Sequence, residues 1–193
     1  VNNYAPGILN KILSSSIRPD IHACGEQVQV MNDFTMEMEQ YSIEERLKFP
    51  FLYDQYNKNI SIPDSIDLEL HSPKAIVSSI IKDQQGKCVK TLYEDESSGF
   101  PQSWELPTLE LMQDLIIEAN QEDIPVIIHA PSFDGQQFAV ESGVDIIAHA
   151  MWNWYDDPEN FLDSAFTKKH ENLLLEIAKK DIGYQPTFRA IYG

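Results

Sequence analysis

The sequence predicts an α/β fold built on a parallel sheet, and two observations lead to this prediction. Short apolar segments alternate with longer segments in which apolar residues recur at helical spacing. The short segments are almost continuously hydrophobic, which is typical of parallel strands that are buried on both faces. Such an alternation implies either a doubly wound sheet or a βα-barrel.

The series begins with a helix and a strand between residues 72 and 92. Ser72 has the residue type of an N-cap and Pro73 that of a first helical residue, so a helix is predicted from this point. We expect Gly86 to end it. The apolar run at 88–92 then indicates a strand.

A loop with an acidic start follows this strand at 93–105. We expect its first carboxylates to be solvated, namely those of Glu94, Asp95 and Glu96. Apolar residues then recur at helical spacing over 107–121, which predicts a second helix. Residues 125–129 read PVIIH and indicate a buried strand.

Four further elements complete the series. A short helix is predicted over 135–142, because Asp134 and Gln137 have the spacing of a capping box and Gly143 can end it. The remaining elements are a strand at 144–149, a helix at 160–180 and a strand at 183–188.

The first third of the chain is less regular. Residues 16–23 are compatible with a strand that follows a short helix. Residues 26–70 contain many Met, Glu, Tyr and Phe with no clear period. We interpret them as an insertion in a βα loop, with some helix and the position of a lid. The whole chain, 1–193, is interpreted as one domain.

The charge of the chain limits its partners. A formal net charge of -17 repels phosphate backbones and anionic membrane surfaces. No run of 18 or more apolar residues is present. We therefore expect a small-molecule substrate, with no nucleic acid and no membrane as partner, and we leave a homo-oligomer open.

Two cysteines, Cys24 and Cys88, lie far apart in the sequence and outside any CxxC pair. We expect free thiols, which fit a reducing compartment such as the cytoplasm. Export stays open, because the first residue is Val1 and a leader segment would precede it.

Two predicted strands end in histidine, at His129 and His149. The carboxyl ends of parallel strands carry the functional site, and neighbouring strands lie about 4.8 Å apart. The two imidazoles could therefore share a metal ion; the alternative is two half-buried histidines, each bonded to a loop. Lys90 lies inside a buried strand, which is costly unless the amine is paired or modified. Two structural explanations of this lysine are also open: its extended side chain reaches solvent, or its amine forms an ion pair with Glu94 or Asp95.

The stretch 126–154, VIIHAPSFDGQQFAVESGVDIIAHAMWNW, resembles the amidohydrolase superfamily, in particular its imidazolonepropionase-like and prolidase-like branch. The matching features are a strand that ends in His129, a helix with the ending Ala139–Asp145, and a strand that ends in His149. Val89-Lys90 is similar to the lysine strand of that branch, and Gln185-Pro186-Thr187 to a later one. The resemblance covers roughly residues 72–192.

The resemblance implies a partial TIM-type (β/α)8 barrel that covers roughly strands 2 or 3 to 7. It implies that His129 and His149 are metal ligands. Lys90 would be the fourth-strand lysine, which can be carboxylated and bridge two zinc ions, and so be both ligand and catalytic residue. The cofactor would be one or two zinc ions, with other divalent metals as alternatives. Metal-bound hydroxide would attack an amide or cyclic amide carbonyl.

The resemblance also suggests a substrate pocket. Three aromatic residues follow the second histidine strand and would line the mouth of the barrel: Trp152, Trp154 and Tyr155. Aromatic packing beneath a loop is the alternative. The other three histidines, at positions 22, 71 and 170, are interpreted as structural, solvated or helix-capping residues.

The sequence departs from the family pattern at both ends. It contains no His-x-His pair, which the family has on its first strand, and it ends at Gly193, before an eighth-strand aspartate. We therefore expect a protein longer than this sequence. The alternative is an inactive relative that binds a small molecule or serves as a scaffold. An unrelated doubly wound protein ranks last, because no GxGxxG and no P-loop motif is present.

Overall fold

The computed structural model describes residues 11–12, 14–17, 22–59, 66–95, 104–151 and 166–186. Within these ranges the strands are β1 (Gln29–Val30), β2 (Phe51–Leu52), β3 (Val89–Leu92), β4 (Val126–His129), β5 (Ile146–Ala148) and β6 (Gly183–Gln185). The helices are α1 (Phe34–Met38), α2 (Ile43–Arg46), a 3-10 turn at Leu68–His71, α3 (Pro73–Lys82), α4 (Leu109–Gln121), α5 (Phe133–Ser142) and α6 (Lys168–Lys179). None of these helices has the length and apolarity that crossing a bilayer requires.

The main sheet has four parallel strands in the order β3-β4-β5-β6. Each strand therefore pairs with the next one along the chain, and α4, α5 and α6 lie in the three connections. A doubly wound sheet reverses its strand order at a switch point, whereas a βα-barrel advances in one direction. The order within the described residues is consistent with a partial barrel, as predicted.

The hydrophobic core lies between one face of this sheet and the helices. Alternate residues of a strand point to opposite faces. Val89, Val126, Ile128 and Ile147 point to the helix side and are fully buried. They pack against apolar residues of α3 to α6, which include Val77, Ile80, Leu111, Leu115, Val140 and Ile177. This packing fixes the register of the strands and so the positions of their carboxyl ends.

The opposite face of the sheet carries Lys90, Ile127, His129 and Ile146, each of them half-buried. In a closed barrel this face would line the interior. A lysine and a histidine on that face are exceptional among apolar neighbours. The two residues that the sequence singled out on β3 and β4 therefore lie on the same face of the sheet.

The helix boundaries depend on caps that the sequence predicted only in part. Ser72 caps α3 as predicted, with its side chain accepting from the Ala75 amide. Gly143, with φ 84°, ends α5 as predicted. The cap of α5 is Ser132 and not Asp134, because the Ser132 hydroxyl accepts the Gly135 amide at 2.8 Å.

The predicted end of α3 at Gly86 was wrong. The helix ends at Lys82, and Gln85 has a left-handed backbone with φ 55°. Gly86 instead allows the backbone to pass close to Ile80 and Gly25. A Cβ at this position would lie 2.6 Å from the Ile80 side chain and 2.9 Å from the Gly25 amide nitrogen.

The amino-terminal part contributes a two-stranded parallel sheet, β1-β2. It adjoins the main sheet, because the Val28 amide donates to the Lys90 carbonyl at 2.7 Å and the Lys87 amide donates to the Ala23 carbonyl at 2.8 Å. The described residues among 16–23 are not in a strand, and 18–21 lie outside the described ranges. The interpretation of 26–70 as an insertion or lid stays a prediction.

The two cysteines form a disulfide, which corrects the expectation of free thiols. Cys24 and Cys88 are bonded, with their Cα atoms 4.4 Å apart. The backbone bonds just described place the segment before β1 beside the start of β3, so residues distant in sequence become neighbours. A disulfide is typical of oxidising compartments, and the argument for a reducing compartment therefore fails.

Candidate functional site

Two histidines meet at the carboxyl ends of adjacent strands. His129 is the last residue of β4 and pairs in register with Ala148 of β5; His149 is the next residue after Ala148. The two rings lie edge to face, with centroids 4.8 Å apart and planes at 72°. The structure thus brings together the two imidazoles that the sequence singled out.

The backbone around His149 is in an unusual conformation. Its φ is 79°, a region that residues with a side chain rarely adopt. The His149 amide donates to the Gln185 carbonyl of β6 at 2.7 Å, and the Ala150 amide donates to the Pro186 carbonyl at 3.2 Å. Positive φ at a non-glycine residue persists where surrounding structure enforces it, and such residues cluster at functional sites.

Lys90 lies on the same face of the sheet as His129 and is half-buried. Its Nζ donates to the Thr91 carbonyl at 3.2 Å. Burial lowers the pKa of Lys90 to about 8. A larger fraction of this amine is therefore neutral near physiological pH than for an exposed lysine.

The pKa of His149 is lowered to about 4, chiefly by burial, and the positive charges of His129 and Lys90 contribute to this shift. The charges of His129 and Lys90 therefore act on the His149 imidazole. His149 is neutral at pH 7, and a neutral imidazole is the form that binds metal.

Glu94 corrects the expectation of a solvated acidic loop. It follows β3 by two residues, and only 6% of it is exposed. Its Oε2 forms a 2.6 Å hydrogen bond with Nε2 of His129. Its Oε1 is buried and has no hydrogen-bond partner among the described residues. The Glu94 carbonyl accepts the indole N–H of Trp104.

Asp95 is also buried, 8% exposed, in contrast to the expectation. Its Oδ2 accepts the Ser132 hydroxyl at 2.6 Å, and Ser132 in turn caps α5. This contact ties the loop after β3 to the loop after β4. Glu96 lies outside the described residues.

Some predicted features do not join the site. The aromatic residues assigned to substrate binding, Trp152, Trp154 and Tyr155, lie outside the described residues. His170 is buried and caps α6 through Thr167 rather than being solvated. In the part of the chain that the structure describes, no group of three or more His, Cys, Asp or Glu side chains is close enough together to hold a metal ion.

Sequence reasoning missed Glu94 as a site residue. The available signal was its position: it is the first carboxylate after a strand whose carboxyl end faces the predicted site. The competing signal was the acidic run from Glu94 to Glu96, which is more typical of a solvated loop.

No family model and no curated protein matches the sequence. Three solved structures are similar to the chain. The A. niger ochratoxinase has 15% identity and a TM-score of 0.61, over 95% of this chain and 39% of that one. A Xaa-Pro dipeptidase with methionine bound in its active site has 16% identity and a TM-score of 0.58, over 98% and 41%. Phenylurea hydrolase B has 17% identity and a TM-score of 0.50, over 93% and 38%.

The chain shares its fold with these three structures, which are amidohydrolase-family proteins. The expected fold, a partial barrel with parallel strands, is thereby confirmed. The chain spans about two fifths of the length of these amidohydrolase structures. All three neighbours are hydrolases, and at these identities the likeness shows the fold alone.

Proposed function

We propose that the protein is a metal-dependent hydrolase of amide or cyclic amide C–N bonds. The observation that carries this proposal is the pair of imidazoles of His129 and His149, with ring centroids 4.8 Å apart at the carboxyl edge of a parallel sheet. In βα-barrel enzymes the reaction takes place at this edge. The amidohydrolase fold supports the same conclusion.

The side chains at this edge suit a metal ion chemically. Imidazole nitrogens and carboxylate oxygens are the donors that zinc prefers in hydrolytic sites. His129 and His149 supply the imidazoles, and a carbamate on Lys90 would supply the oxygens. When bound, the metal would polarise the substrate carbonyl and lower the pKa of a water molecule toward neutrality.

Lys90 is proposed as a third ligand after carboxylation. An ammonium has no lone pair to offer, so the amine must first be neutral. Its nitrogen then forms a bond to carbon dioxide and releases one proton, giving a carbamate anion. Its half-buried position on the His129 face supports this role. The carbamate would have two oxygen atoms that can bind a metal ion, whereas the unmodified lysine side chain has none.

The substrate class follows from the reaction type and stays a proposal. Two of the similar structures are named for hydrolysis of a Xaa-Pro dipeptide and of a phenylurea. A panel should therefore contain Xaa-Pro dipeptides, N-acyl amino acids, cyclic amides and phenylureas. Trp152, Trp154 and Tyr155 remain predicted pocket residues.

The test is hydrolysis of this panel by the zinc-loaded full-length protein. His129→Ala should lower kcat/KM at least about 1000-fold on any substrate that is cleaved, because a metal ligand is lost. His22→Ala, at an exposed histidine, is the matched control and should retain activity. A protein that binds panel compounds without cleaving any would favour the alternative, an inactive barrel that binds a small molecule.

A further inference from the structure

We propose that Glu94 is itself a metal ligand, which shares one divalent cation with His129. This inference rests on the proposed function, since it assumes a metal at the carboxyl edge of the sheet. It adds a residue that neither the sequence pattern nor the resemblance assigned. It also adds an anionic ligand that does not depend on modification of Lys90.

The first argument is the unused oxygen of Glu94. The carboxylate is buried, with Oε2 bonded to His129, and Oε1 has no hydrogen-bond partner in the part of the chain that the structure describes. A buried acceptor that is left unsatisfied costs about 1–3 kcal/mol, and more for a charged group. A carboxylate that only oriented His129 would need one oxygen for the hydrogen bond, and burial of its other oxygen would bring no stabilisation. A bound cation would interact favourably with both carboxylate oxygens.

The second argument is the position of the carboxylate relative to the imidazole. Oε2 lies 2.6 Å from Nε2 of His129, so a single proton occupies the space between them. Two ligands of a tetrahedral zinc ion, each about 2.1 Å from the metal, lie about 3.4 Å apart. An opening of less than 1 Å would therefore let a cation replace the proton. The described side chains do not form a complete metal cluster before such an opening.

The third argument is charge. The imidazoles of His129 and His149 and the amine of Lys90 contribute no negative charge to the site. A divalent cation held only by neutral ligands would leave two positive charges in a partly buried place, which is unfavourable. The Glu94 carboxylate offsets one of them, and a carbamate on Lys90 would offset the other.

The main chain around Glu94 is held on both sides. Its carbonyl accepts the indole N–H of Trp104, whose ring packs edge to face on Phe34 with centroids 5.1 Å apart. The next residue, Asp95, accepts the Ser132 hydroxyl at 2.6 Å. A ligand whose backbone is fixed in this way loses little conformational freedom when it binds.

The test is zinc affinity, measured on the full-length protein by competition with a chromophoric chelator. Glu94→Gln keeps the shape of the side chain but removes its charge, and we expect the dissociation constant to rise at least about 100-fold. Glu122→Gln is the matched control, since it makes the same change at an exposed glutamate away from the site; it should stay within about threefold of wild type. Circular dichroism verifies that each variant is folded.

Different outcomes identify which proposal fails. If the wild type binds no zinc, both the proposed function and this inference are overturned. If the wild type binds zinc and His149→Asn abolishes binding, but folded Glu94→Gln binds as tightly as wild type, only the role of Glu94 is overturned.

A crystal structure of the zinc-loaded wild type avoids any folding defect of the variants. A Glu94 carboxylate oxygen at about 2.0–2.2 Å from zinc supports the inference. A nearest distance beyond about 3 Å contradicts it.

Discussion

The imidazoles of His149 and His129 meet edge to face. The backbone of His149 lies in the left-handed region, with φ 79°. The strand register alone would place Ala148, not His149, opposite His129. The turn just after β5 therefore brings the second imidazole to the site. Its conformation is held by the hydrogen bond from the His149 amide to the Gln185 carbonyl.

This geometry predicts a difference between two substitutions of His149. His149→Asn should remain folded with nearly unchanged stability, because Asn tolerates positive φ. His149→Ala should be less stable than His149→Asn by about 1 kcal/mol. Both should lose at least one zinc ion and should lose hydrolysis. Urea denaturation measures the stability difference, and equal midpoints for the two variants would contradict the assigned strain.

Lys90→Ala should abolish hydrolysis, since it removes the proposed carbamate ligand. Formate, acetate or propionate at millimolar concentration should restore part of the activity by supplying a carboxylate in the vacated space. The measurement is kcat/KM on the best substrate of the panel with and without the acid.

Lys87→Ala is the matched control for this experiment, because Lys87 is exposed and lies just before the same strand. It should keep wild-type activity and show no response to added acid. Full activity of Lys90→Ala without any added acid would refute the role of Lys90.

The Cys24–Cys88 disulfide predicts a redox-dependent stability. It closes a loop with a sequence separation of 64 residues, for which chain entropy gives about 4 kcal/mol of stabilisation. Reduction should therefore lower the free energy of unfolding by about 2–4 kcal/mol. The measurement is denaturation with and without a reductant.

The double variant Cys24→Ala/Cys88→Ala is the control for this effect. It should match the reduced wild type in stability and should not respond to reductant. Two freely alkylated thiols in the native, unreduced protein would show that the disulfide is absent.

Asp33 predicts a pH dependence of stability. Burial is the main reason that its pKa is raised from 3.8 to about 7 in the folded protein. Within the described ranges its Oδ2 has no hydrogen-bond partner. A raised pKa means that the folded state holds the proton more tightly than the unfolded state. The resulting stabilisation is fully present below about pH 4 and is lost as the pH rises toward and through 7.

Asp33→Asn isolates this effect, because an amide oxygen can still accept the Met36 N–H that the carboxylate accepts at 3.1 Å. Between pH 4 and 8 the wild type should lose on the order of 1–3 kcal/mol of stability relative to the variant. Parallel pH profiles for the two proteins would show that Asp33 does not titrate as the structure indicates.

The order of elements from α3 to β6 could be predicted from the sequence because hydrophobic periodicity is a local property. Element ends were less predictable, because they depend on which side chain makes the capping bond. Ser132 and Asp134 are both suitable caps by residue type, and only the fold shows that the Ser132 hydroxyl reaches the Gly135 amide.

The residues of the candidate site that lie at strand ends, His129 and His149, could be predicted from the sequence. The residues that reach the site through contacts between distant segments could not. Glu94 is buried in a site whose other side is formed by Trp104 and His129, ten and 35 residues further along the chain. The pairing of Cys24 with Cys88 likewise depends on the contact between the segment before β1 and β3.

The most direct test of the central claim is the metal stoichiometry of the full-length protein, stripped with a chelator and reloaded with zinc, by native mass spectrometry. The proposed site predicts one or two zinc ions for the wild type and for His22→Ala. It predicts the loss of at least one ion in the double variant His129→Ala/His149→Asn, which should remain folded. A wild type that takes up no zinc, or a double variant that binds as much zinc as the wild type, would contradict a metal site at this pair of histidines.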